Sequence, residues 1–424
     1  MMVFFNVFRT FLLKKHFSLS NRCIIEKFYV SLQSITLLRT LRNGKSVMMV
    51  KTKLNNPFVV YGYKGSEYFC DREAETDKLM STLHGERNVT LIAPRRMGKT
   101  GLIQHVFNRF AAADKGIKCF YIDIFATKNL EQFVQLLANE IIGKLDTVSQ
   151  AALRNVQAFF SSFRPTMTLD ELTGVPTFSL NIQPTEREAS LKRIFEYLKV
   201  SGRRCYVAID EFQQILSYPE KGTEALIRSY IQFLPNVYFI FSGSRQHMME
   251  EIFLSANRPF FQSSMVIALQ PIDEAKYLTF ANEMLRQDAR MIDADTFHYI
   301  YNASEGITWY IQSILHGIFN HHNARIDKAL VDEVIQEIIG EQTATYQNYL
   351  AWLTENQQKL LSAIAYEKRV DAPLSQEFIR MYHLPAPSSV KTALNALADK
   401  QLILRTPKGC SVADLFFALW LRSL

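Results

Sequence analysis

The spacing of apolar positions along the chain predicts an α/β protein with a parallel central sheet. Short runs rich in β-branched and aromatic residues predict buried strands at 88–92, 119–122, 205–211 and 237–241. Apolar residues recur at helical spacing between these runs, for example over 102–110 and 186–198. Strands that are apolar throughout and alternate with helices are typical of a parallel sheet covered on both faces. We expect this core domain to occupy residues 49–270.

The pattern becomes helical after Pro271. Its periodicity predicts a helical lid over 271–345, with helices at 274–287, 295–303, 308–320 and 328–340. The pattern of the remaining residues, 346–424, predicts a winged-helix domain. Its predicted helices lie at 357–367, 375–382 and 389–399, and its predicted hairpin pairs 402–405 with 410–412. Ser388 is a good N-cap for the third of these helices.

Residues 145–197 interrupt the alternation of strands and helices within the core domain. The pattern there predicts a helix at 151–162 and an edge strand at 174–182, with its proline at the rim of the sheet. We therefore expect an elaboration of the core at this point in the chain.

Composition narrows the class of protein and the kind of partner. The chain has 424 residues, of which 48% are hydrophobic and 21% charged, which excludes collagen-like and low-complexity proteins. The net charge is +7, but residues 1–50 carry eight basic side chains and one acidic one, which accounts for all of it. Residues 356–424 are mildly basic, with nine basic and five acidic side chains. A protein-wide surface for nucleic acid is therefore not expected.

The first 48 residues show no sustained period. Their apolar run, 1–13, is interrupted by Arg9 and is shorter than the roughly 20 residues of a membrane span. Its lysines follow the run, whereas a signal peptide carries its charge first. We expect residues 1–48 to be an N-terminal extension that follows from a misassigned start, with the working protein beginning near Met49. A membrane-surface anchor is the alternative, and no transmembrane segment is expected.

Cysteine and histidine positions give no metal or disulfide pattern. The five cysteines are odd in number and dispersed, without a CxxC pair, which favours reduced thiols in a cytoplasmic protein. His316, His321 and His322 lie close together in the sequence, but we favour solvated or capping roles over metal binding.

The segment APRRMGKT, residues 93–100, predicts a phosphate-binding loop. It follows the strand at 88–92 and precedes a helix, which is the context that a P-loop requires. Backbone N–H groups would hold the phosphates, Lys99 would lie along their β and γ oxygens, and the Thr100 hydroxyl would bind Mg²⁺. Ala93 replaces the first glycine of the usual GxxxxGK[ST] pattern. The nucleotide-binding residues predicted here are Ala93, Pro94, Arg95, Arg96, Met97, Gly98, Lys99, Thr100 and Gly101.

Paired carboxylates at the end of the strand at 205–211 predict the second half of an ATPase site. Asp210 would hold Mg²⁺ through water, and Glu211 would orient and polarise the attacking water. The strand at 237–241 ends in Ser242, Ser244 and Arg245. Because ligands lie at the carboxyl ends of parallel strands, we expect the serines near the γ-phosphate or the water. Arg245 would offer its charge to the transition state.

Taken in order, residues 69–73, 93–100, 209–212 and 241–244 resemble the archaeal-type ATPase family, which is similar to AAA+ replication initiators and STAND signalling ATPases. The resemblance implies a P-loop NTPase core of the acidic-pair (ASCE), AAA+-like class, with ATP and Mg²⁺ as cofactors. It also implies slow hydrolysis coupled to a conformational switch, and is compatible with a nucleotide-dependent oligomer. The segment before the P-loop would lie against adenine, which implies base contacts for Tyr68, Phe69 and Arg72. Residues 306–312 resemble the turn into the lid helix but lack the arginine that full AAA+ lids carry.

Three functions fit this sequence. The favoured one is an ATP-driven switch whose C-terminal domain binds a protein partner or closes over its own ATPase core, since the apolar run 415–421 favours packing against a surface. The second is a DNA-acting ATPase, resembling replication initiators or transposition helpers, that contacts duplex DNA through Lys391, Asn395 and Lys408. The third is a nucleotide-binding scaffold without turnover.

Overall fold

The computed structural model describes residues 53–145, 165–169, 176–180, 186–322, 325–406 and 409–424. The chain divides into two units, 1–55 and 56–424, and the second carries all the elements given below. The predicted extension, the predicted helix at 151–162 and Lys408 lie outside the described residues. None of the described helices combines the length and the apolar character needed to cross a membrane.

The strands form one parallel sheet and two hairpins. In chain order they are β1 Val89–Ile92, β2 Lys118–Asp123, β3 Pro165–Leu169, β4 Pro176–Leu180, β5 Cys205–Asp210, β6 Val237–Gly243, β7 Met265–Ala268, β8 Ile403–Thr406 and β9 Gly409–Val412. The parallel sheet has the order β2-β5-β6-β1-β7, while β3 pairs with β4 and β8 with β9 in antiparallel hairpins. This confirms the predicted parallel α/β fold.

The register of the parallel strands brings their carboxyl ends to one edge. Ile92 at the end of β1 is level with Gly243 of β6 and Ala268 of β7, and Asp123 of β2 is level with Asp210 of β5. Strands β1, β5 and β6 are buried along their whole length, which explains their uninterrupted apolar sequences. Residues that follow these strands therefore meet along a single edge.

Helices cover the sheet and continue into the C-terminal half. Those of the sheet domain are α1 Glu73–His84, α2 Lys99–Ala113, α3 Leu130–Leu145, α4 Arg187–Val200, α5 Thr223–Ile231 and α6 Gln246–Leu254. Those that follow are α7 Glu274–Leu285, α8 Ala294–Ala303, α9 Thr308–Asn320, α10 Lys328–Ala351, α11 Glu355–Tyr366, α12 Gln376–Met381, α13 Pro387–Asp399 and α14 Leu415–Ser423. Short 3₁₀ helices lie at Ser66–Tyr68, Phe212–Ser217 and Arg286–Asp288.

Two hydrophobic clusters lie against the sheet. One joins β1 to α1 and α2, and the other joins β5 and β6 to α3, α4 and the segment after β5. In the second cluster, Phe212 packs on Phe241 with ring centroids 4.6 Å apart and contacts Phe253 and Phe260. Burying such aromatic side chains is worth several kcal/mol each, so the turn after Asp210 is firmly anchored.

A third cluster runs without a break from the lid helices α7–α10 into the C-terminal helices α11–α14. The last helix contributes most of the contact, since Phe416 packs on Tyr310 and Phe417 on Tyr346, each with ring centroids 5.0 Å apart. The apolar run 415–421 is thus buried against the protein itself. The lid and the winged helix consequently share one core.

The predicted end of one helix and the predicted N-cap of another are wrong. Helix α10 does not end at Gly340 but continues to Ala351, because Gly340 costs the helix only about 1 kcal/mol relative to alanine and Tyr346, beyond it, packs against Phe417 of the last helix. The proposed domain boundary at 345 falls inside this helix. Helix α13 begins at Pro387, with Ala386 and not Ser388 as its N-cap. Proline suits the first helical position because its missing N–H has no partner there.

Candidate functional site

The loop between β1 and α2 has the conformation of a phosphate cradle. Gly98 is left-handed, with φ of 90°, and it directly precedes the first residue of α2. Lys99 is 7% exposed and its Nζ donates to the carbonyls of Ala93 and Pro94, at 3.0 and 3.1 Å. Burial lowers the pKa of Lys99, and the charges of Asp210 and Glu211 oppose that shift. The loop therefore holds a desolvated cation at the start of a helix, where anions bind.

Asp210 is the centre of the acidic edge and is 5% exposed. Its Oδ2 accepts a hydrogen bond from the Thr100 hydroxyl at 3.1 Å and another from the Tyr121 hydroxyl. Its Oδ1 accepts from the backbone N–H of Glu211 at 3.0 Å. Burial, and then the charge of Asp210, raise the pKa of Tyr121, so this phenol stays a donor. The structure thus brings together the two residues predicted to bind Mg²⁺.

Glu211 lies beside this pair in a left-handed conformation, with φ of 54°. Non-glycine residues adopt this region rarely, and such strain persists only where surrounding contacts enforce it. The Glu211 carboxylate accepts hydrogen bonds from the Ser244 hydroxyl at 2.8 Å and from the Gln213 amide. Two donors therefore hold the same carboxylate oxygen, Oε2.

The other residues predicted after β6 differ in their placement. Ser242 is fully buried, and its hydroxyl has no hydrogen-bond partner within the described part of the chain. Arg245 is exposed at the start of α6, where its guanidinium contacts the sulfur of Met248. Arg245 also lies outside the lining of the cavity between the sheet edge and the lid.

A cavity of about 430 Å³ lies between the sheet edge and the lid. One part of its wall is the phosphate loop, residues 95–101, with Asp210 and Glu211. The opposite part consists of the segments 59–65 and 68–70 together with Arg72, and of the lid residues Ile272, Thr308, Trp309 and Gln312. Neither the segment 59–65 nor the four lid residues were predicted from the sequence. The aromatic residues of the segment 59–65 are its only sequence feature that could indicate a binding site, and aromatic residues are equally common in hydrophobic cores.

Phe69 is held by neighbouring side chains, and Arg72 is held by backbone carbonyls. The Phe69 ring stacks on His105 of α2, with centroids 4.5 Å apart, and the Tyr63 hydroxyl contacts Nδ1 of the same histidine at 2.9 Å. Arg72 is 4% exposed and donates to the carbonyls of Gln270 at 2.6 Å and Met97 at 3.3 Å. Arg72 therefore ties the phosphate loop to the segment after β7. Its predicted base contact remains a prediction.

Arg96 of the phosphate loop turns toward the lid and the last helix. Its guanidinium forms an ion pair with Asp414 at 2.7 Å, donates to the Tyr310 hydroxyl at 2.6 Å, and lies over the Trp309 ring at 4.2 Å. Asp414 caps α14, and the Tyr310 hydroxyl accepts from the Leu415 N–H at 2.8 Å. Arg96, Tyr310 and Asp414, called here the arginine clasp, join three elements.

Arg95, the neighbouring arginine, also points toward the C-terminal domain. It is exposed, donates to the Gln401 side chain at 2.5 Å, and lies 5.9 Å from the Phe125 ring. The two arginines share the wall of a second cavity, of about 410 Å³, between the phosphate loop and residues 400–402. The loop thus contributes to the walls of both cavities.

The histidines near residue 320 contact neighbouring oxygens. His316 Nδ1 lies 2.8 Å from the Phe58 carbonyl, and His321 Nε2 lies 2.9 Å from the exposed carboxylate of Glu337. Glu333 joins the latter pair, with ligand atoms within 4.8 Å of one another. All four described cysteines are unpaired.

Comparison with other proteins agrees with this geometry. Residues 69–314, more than half of the chain, match the family described as an ATPase domain predominantly from Archaea, and residues 344–423 match a probable winged helix domain. An uncharacterized ATP-binding protein of Methanocaldococcus jannaschii is 24% identical over 208 residues, 46% of this chain and 54% of that protein. The match thus spans about half the length of that relative.

Solved structures share the fold. A Walker-type ATPase of Pyrococcus abyssi has a TM-score of 0.57 at 20% identity, covering 86% of this chain and 99% of its own. The Aeropyrum pernix ORC1 protein, in complex with DNA, has a TM-score of 0.52 at 14% identity, with 87% and 96% covered. The ORC2 protein of the same organism scores 0.51 at 16% identity, with 83% and 92% covered. The chain belongs to the family of ATPase domains found predominantly in Archaea.

Proposed function

We propose that the protein binds Mg·ATP in the cavity between the phosphate loop and the lid, hydrolyses it, and uses the nucleotide state to move its winged helix. One observation carries the proposal: Thr100, Asp210 and Glu211 converge at the carboxyl edge of the sheet, next to the buried Lys99. Family membership and the ATP-binding relative support the choice of nucleotide.

The donor set suits Mg²⁺. A threonine hydroxyl and a carboxylate are oxygen ligands of the kind that this cation prefers, and they are hydrogen-bonded to each other at 3.1 Å. When bound, Mg²⁺ would neutralise charge on the β and γ phosphate oxygens. Tyr121 and the Glu211 N–H hold the Asp210 carboxylate in place for this role. Lys99 would bind the phosphates, and the backbone N–H groups of the loop would orient them.

Glu211 is the residue proposed to activate water. A carboxylate beside the γ-phosphate would orient the attacking water and accept its proton. Ser244 and Gln213 now hold that carboxylate, so they would set its position relative to the phosphate. Arg245 is exposed, so any charge it contributes to the transition state would come from a rearrangement or from acting on a neighbouring copy.

The arginine clasp supports the switch. A ligand shifts a conformational equilibrium only through different interactions with its two states. Arg96 belongs to the loop that would close on phosphate, and its side chain holds Asp414 at the start of α14. A change in the conformation of the phosphate loop on hydrolysis would therefore change the ion pair between Arg96 and Asp414, which joins the loop to the winged helix.

Turnover by the full chain tests hydrolysis. We expect ATP turnover that requires Mg²⁺ and falls by about tenfold or more in Asp210→Asn, because the amide binds the cation weakly. Asp399→Asn, an exposed aspartate on α13, is the matched control and should keep full activity. Equal turnover in Asp210→Asn, or turnover in excess chelator, would contradict the mechanism. Bound ATP without turnover in any variant would favour the scaffold.

Loss of the ion pair in the clasp tests the switch. Asp414→Asn keeps the N-cap oxygen but removes the charge that pairs with Arg96. Both partners are about one-third exposed, so the pair is worth at most about 1 kcal/mol, a roughly fivefold rise in local opening. We expect amide hydrogen exchange in α14 to differ between ATP and ADP in the native protein and to lose much of that difference in Asp414→Asn. Asp371→Asn, in the same domain, should preserve it.

DNA action is the second candidate function. It is favoured by one observation: Lys391 and Thr392 are exposed on α13, and exposed Arg405 of β8 reaches the same face, donating to Asn395 at 2.9 Å. Duplex DNA added to the turnover assay distinguishes the two functions. Stimulation, with binding that weakens steeply with salt and is lost in Lys391→Glu, would place this function first. Unchanged turnover would leave the protein switch.

A further inference from the structure

The second cavity, between the phosphate loop and residues 400–402, has the size and lining of a small-molecule site. Its volume of about 410 Å³ is close to the 430 Å³ of the cavity proposed for ATP. Ligand cavities typically measure roughly 300–1,000 Å³ and combine apolar walls with a few placed polar groups. Leu353, Leu402 and Phe417 belong to the apolar wall here, and Arg95 and Lys400 are among the polar groups. The cavity is therefore suited to a small ligand.

Two cations of this cavity lack a negative partner. Arg96 also lines it, but its charge is paired with Asp414 at 2.7 Å. Arg95 and Lys400 are exposed, and neither forms an ion pair with a residue that the structure describes. Arg95 donates instead to the uncharged side chain of Gln401. With three basic side chains and one acidic side chain in its lining, the cavity attracts an anion.

Trp352 adds a flat aromatic surface to the same cavity. It directly follows α10, belongs to the cavity lining, and is 69% exposed. Tyr349 packs beside the indole, with ring centroids 5.9 Å apart, and itself packs on buried Phe417. Stacking of a nucleic-acid base on an aromatic side chain contributes substantially to binding and tolerates every base. A ligand that carries both a flat ring and an anionic group therefore matches this cavity.

We propose that the second cavity is a second nucleotide site, in which Trp352 stacks on the base while Arg95 and Lys400 bind the phosphates. A mononucleotide joins a flat ring and an anionic group in one small molecule. Trp352 and Lys400 lie outside the lining of the ATP cavity, so this inference does not depend on the proposed function. The second site should bind more weakly than the phosphate loop, because solvent screens exposed cations more than it screens the buried Lys99.

Equilibrium dialysis of the full chain against radiolabelled ADP counts the sites, because ADP carries a base and phosphates but is not the substrate of the proposed hydrolysis. We expect two ADP molecules per native chain at millimolar concentration, the second bound more weakly than the first. Trp352→Ala and Lys400→Glu should each weaken the second site by about tenfold or more and leave the first unchanged. Lys115→Glu, which changes an exposed lysine outside both linings, is the matched control and should keep both sites.

Lys99→Met separates the two sites. It should lose the tighter ADP molecule and keep the one that Trp352→Ala and Lys400→Glu weaken. Lys400→Glu decides the matter if thermal unfolding shows that Trp352→Ala does not fold. A single ADP per native chain that is lost in Lys99→Met, or a second site that is unchanged in a folded Trp352→Ala or Lys400→Glu, overturns this inference alone. A single ADP that is kept in Lys99→Met but lost in Trp352→Ala supports this inference and overturns the proposed function. Native protein that binds no ADP overturns both.

Discussion

In the Glu211→Gln variant, ATP turnover is expected to fall by about 10²–10³-fold while ATP remains bound. Removing a general base typically costs 10²–10⁴-fold in rate, because the amide orients water but does not accept its proton. Binding should persist, since the phosphate loop and Asp210 are untouched. The variant should therefore accumulate the ATP-bound state.

The contacts of Glu211 make this substitution informative. The amide oxygen of glutamine still accepts from Ser244, which now lies 2.8 Å from the carboxylate. The left-handed backbone, with φ of 54°, is kept because Phe212 anchors the turn. Loss of rate in Glu211→Gln thus reports loss of chemistry and not loss of structure.

Single-turnover measurement with radiolabelled ATP is the appropriate assay. Glu377→Gln, an exposed glutamate on α12, is the matched control and should turn over at the native rate. A fall of less than about tenfold in Glu211→Gln would remove Glu211 from the role of base. In that case Asp123, an exposed residue at the same edge whose pKa is raised chiefly by partial desolvation, would be the next carboxylate to substitute.

The Lys99→Met variant should lose nucleotide affinity by about 10²-fold or more while keeping its fold. Methionine matches the length of lysine but provides no charge for the phosphates, and hydrogen bonds that involve a charge are the stronger ones. Burial lowers the pKa of Lys99, which shows that the protein disfavours its charged form. Removing that charge should therefore not reduce the stability of the nucleotide-free protein.

Equilibrium binding and thermal unfolding together check this expectation. Lys192→Met, an exposed lysine on α4, serves as the control and should leave both unchanged. Lost stability in Lys99→Met would assign the lysine to the structure of the loop through its bonds to Ala93 and Pro94. Retained affinity would argue that the phosphates bind elsewhere.

The features that depend on residues adjacent in the sequence were predicted correctly. The strand before APRRMGKT, the helix after it and the acidic pair all follow from runs of adjacent residues, and the parallel sheet follows from their alternation. The bounds of α9, Thr308–Asn320, were predicted correctly for the same reason. The end of α10 was not, because packing against the last helix, and not the glycine, decides it.

Contacts between distant residues escaped prediction. Tyr121 reaches Asp210 across 89 positions, and Ser244 reaches Glu211 across 33, so no spacing rule finds them. The lid offers the clearest case. Its helix lacks the expected arginine, yet Arg96 places a guanidinium over Trp309, in the first turn of that helix, from the phosphate loop. A positive charge therefore lies at the start of the lid helix, but it comes from the phosphate loop and not from the lid helix itself.

The shared core of the lid and the winged helix limits how a switch can move. Swinging the winged helix away by itself would expose Phe416, Phe417 and Trp420, all at least 93% buried, at a cost of several kcal/mol. Moving the two together leaves these aromatic side chains covered and breaks the contacts of Arg96 with Asp414, Tyr310 and Trp309. The lid and the winged helix should therefore travel as one rigid body, hinged after β7. The same movement would widen the cavity, so product release and rotation of the C-terminal domain would be a single event.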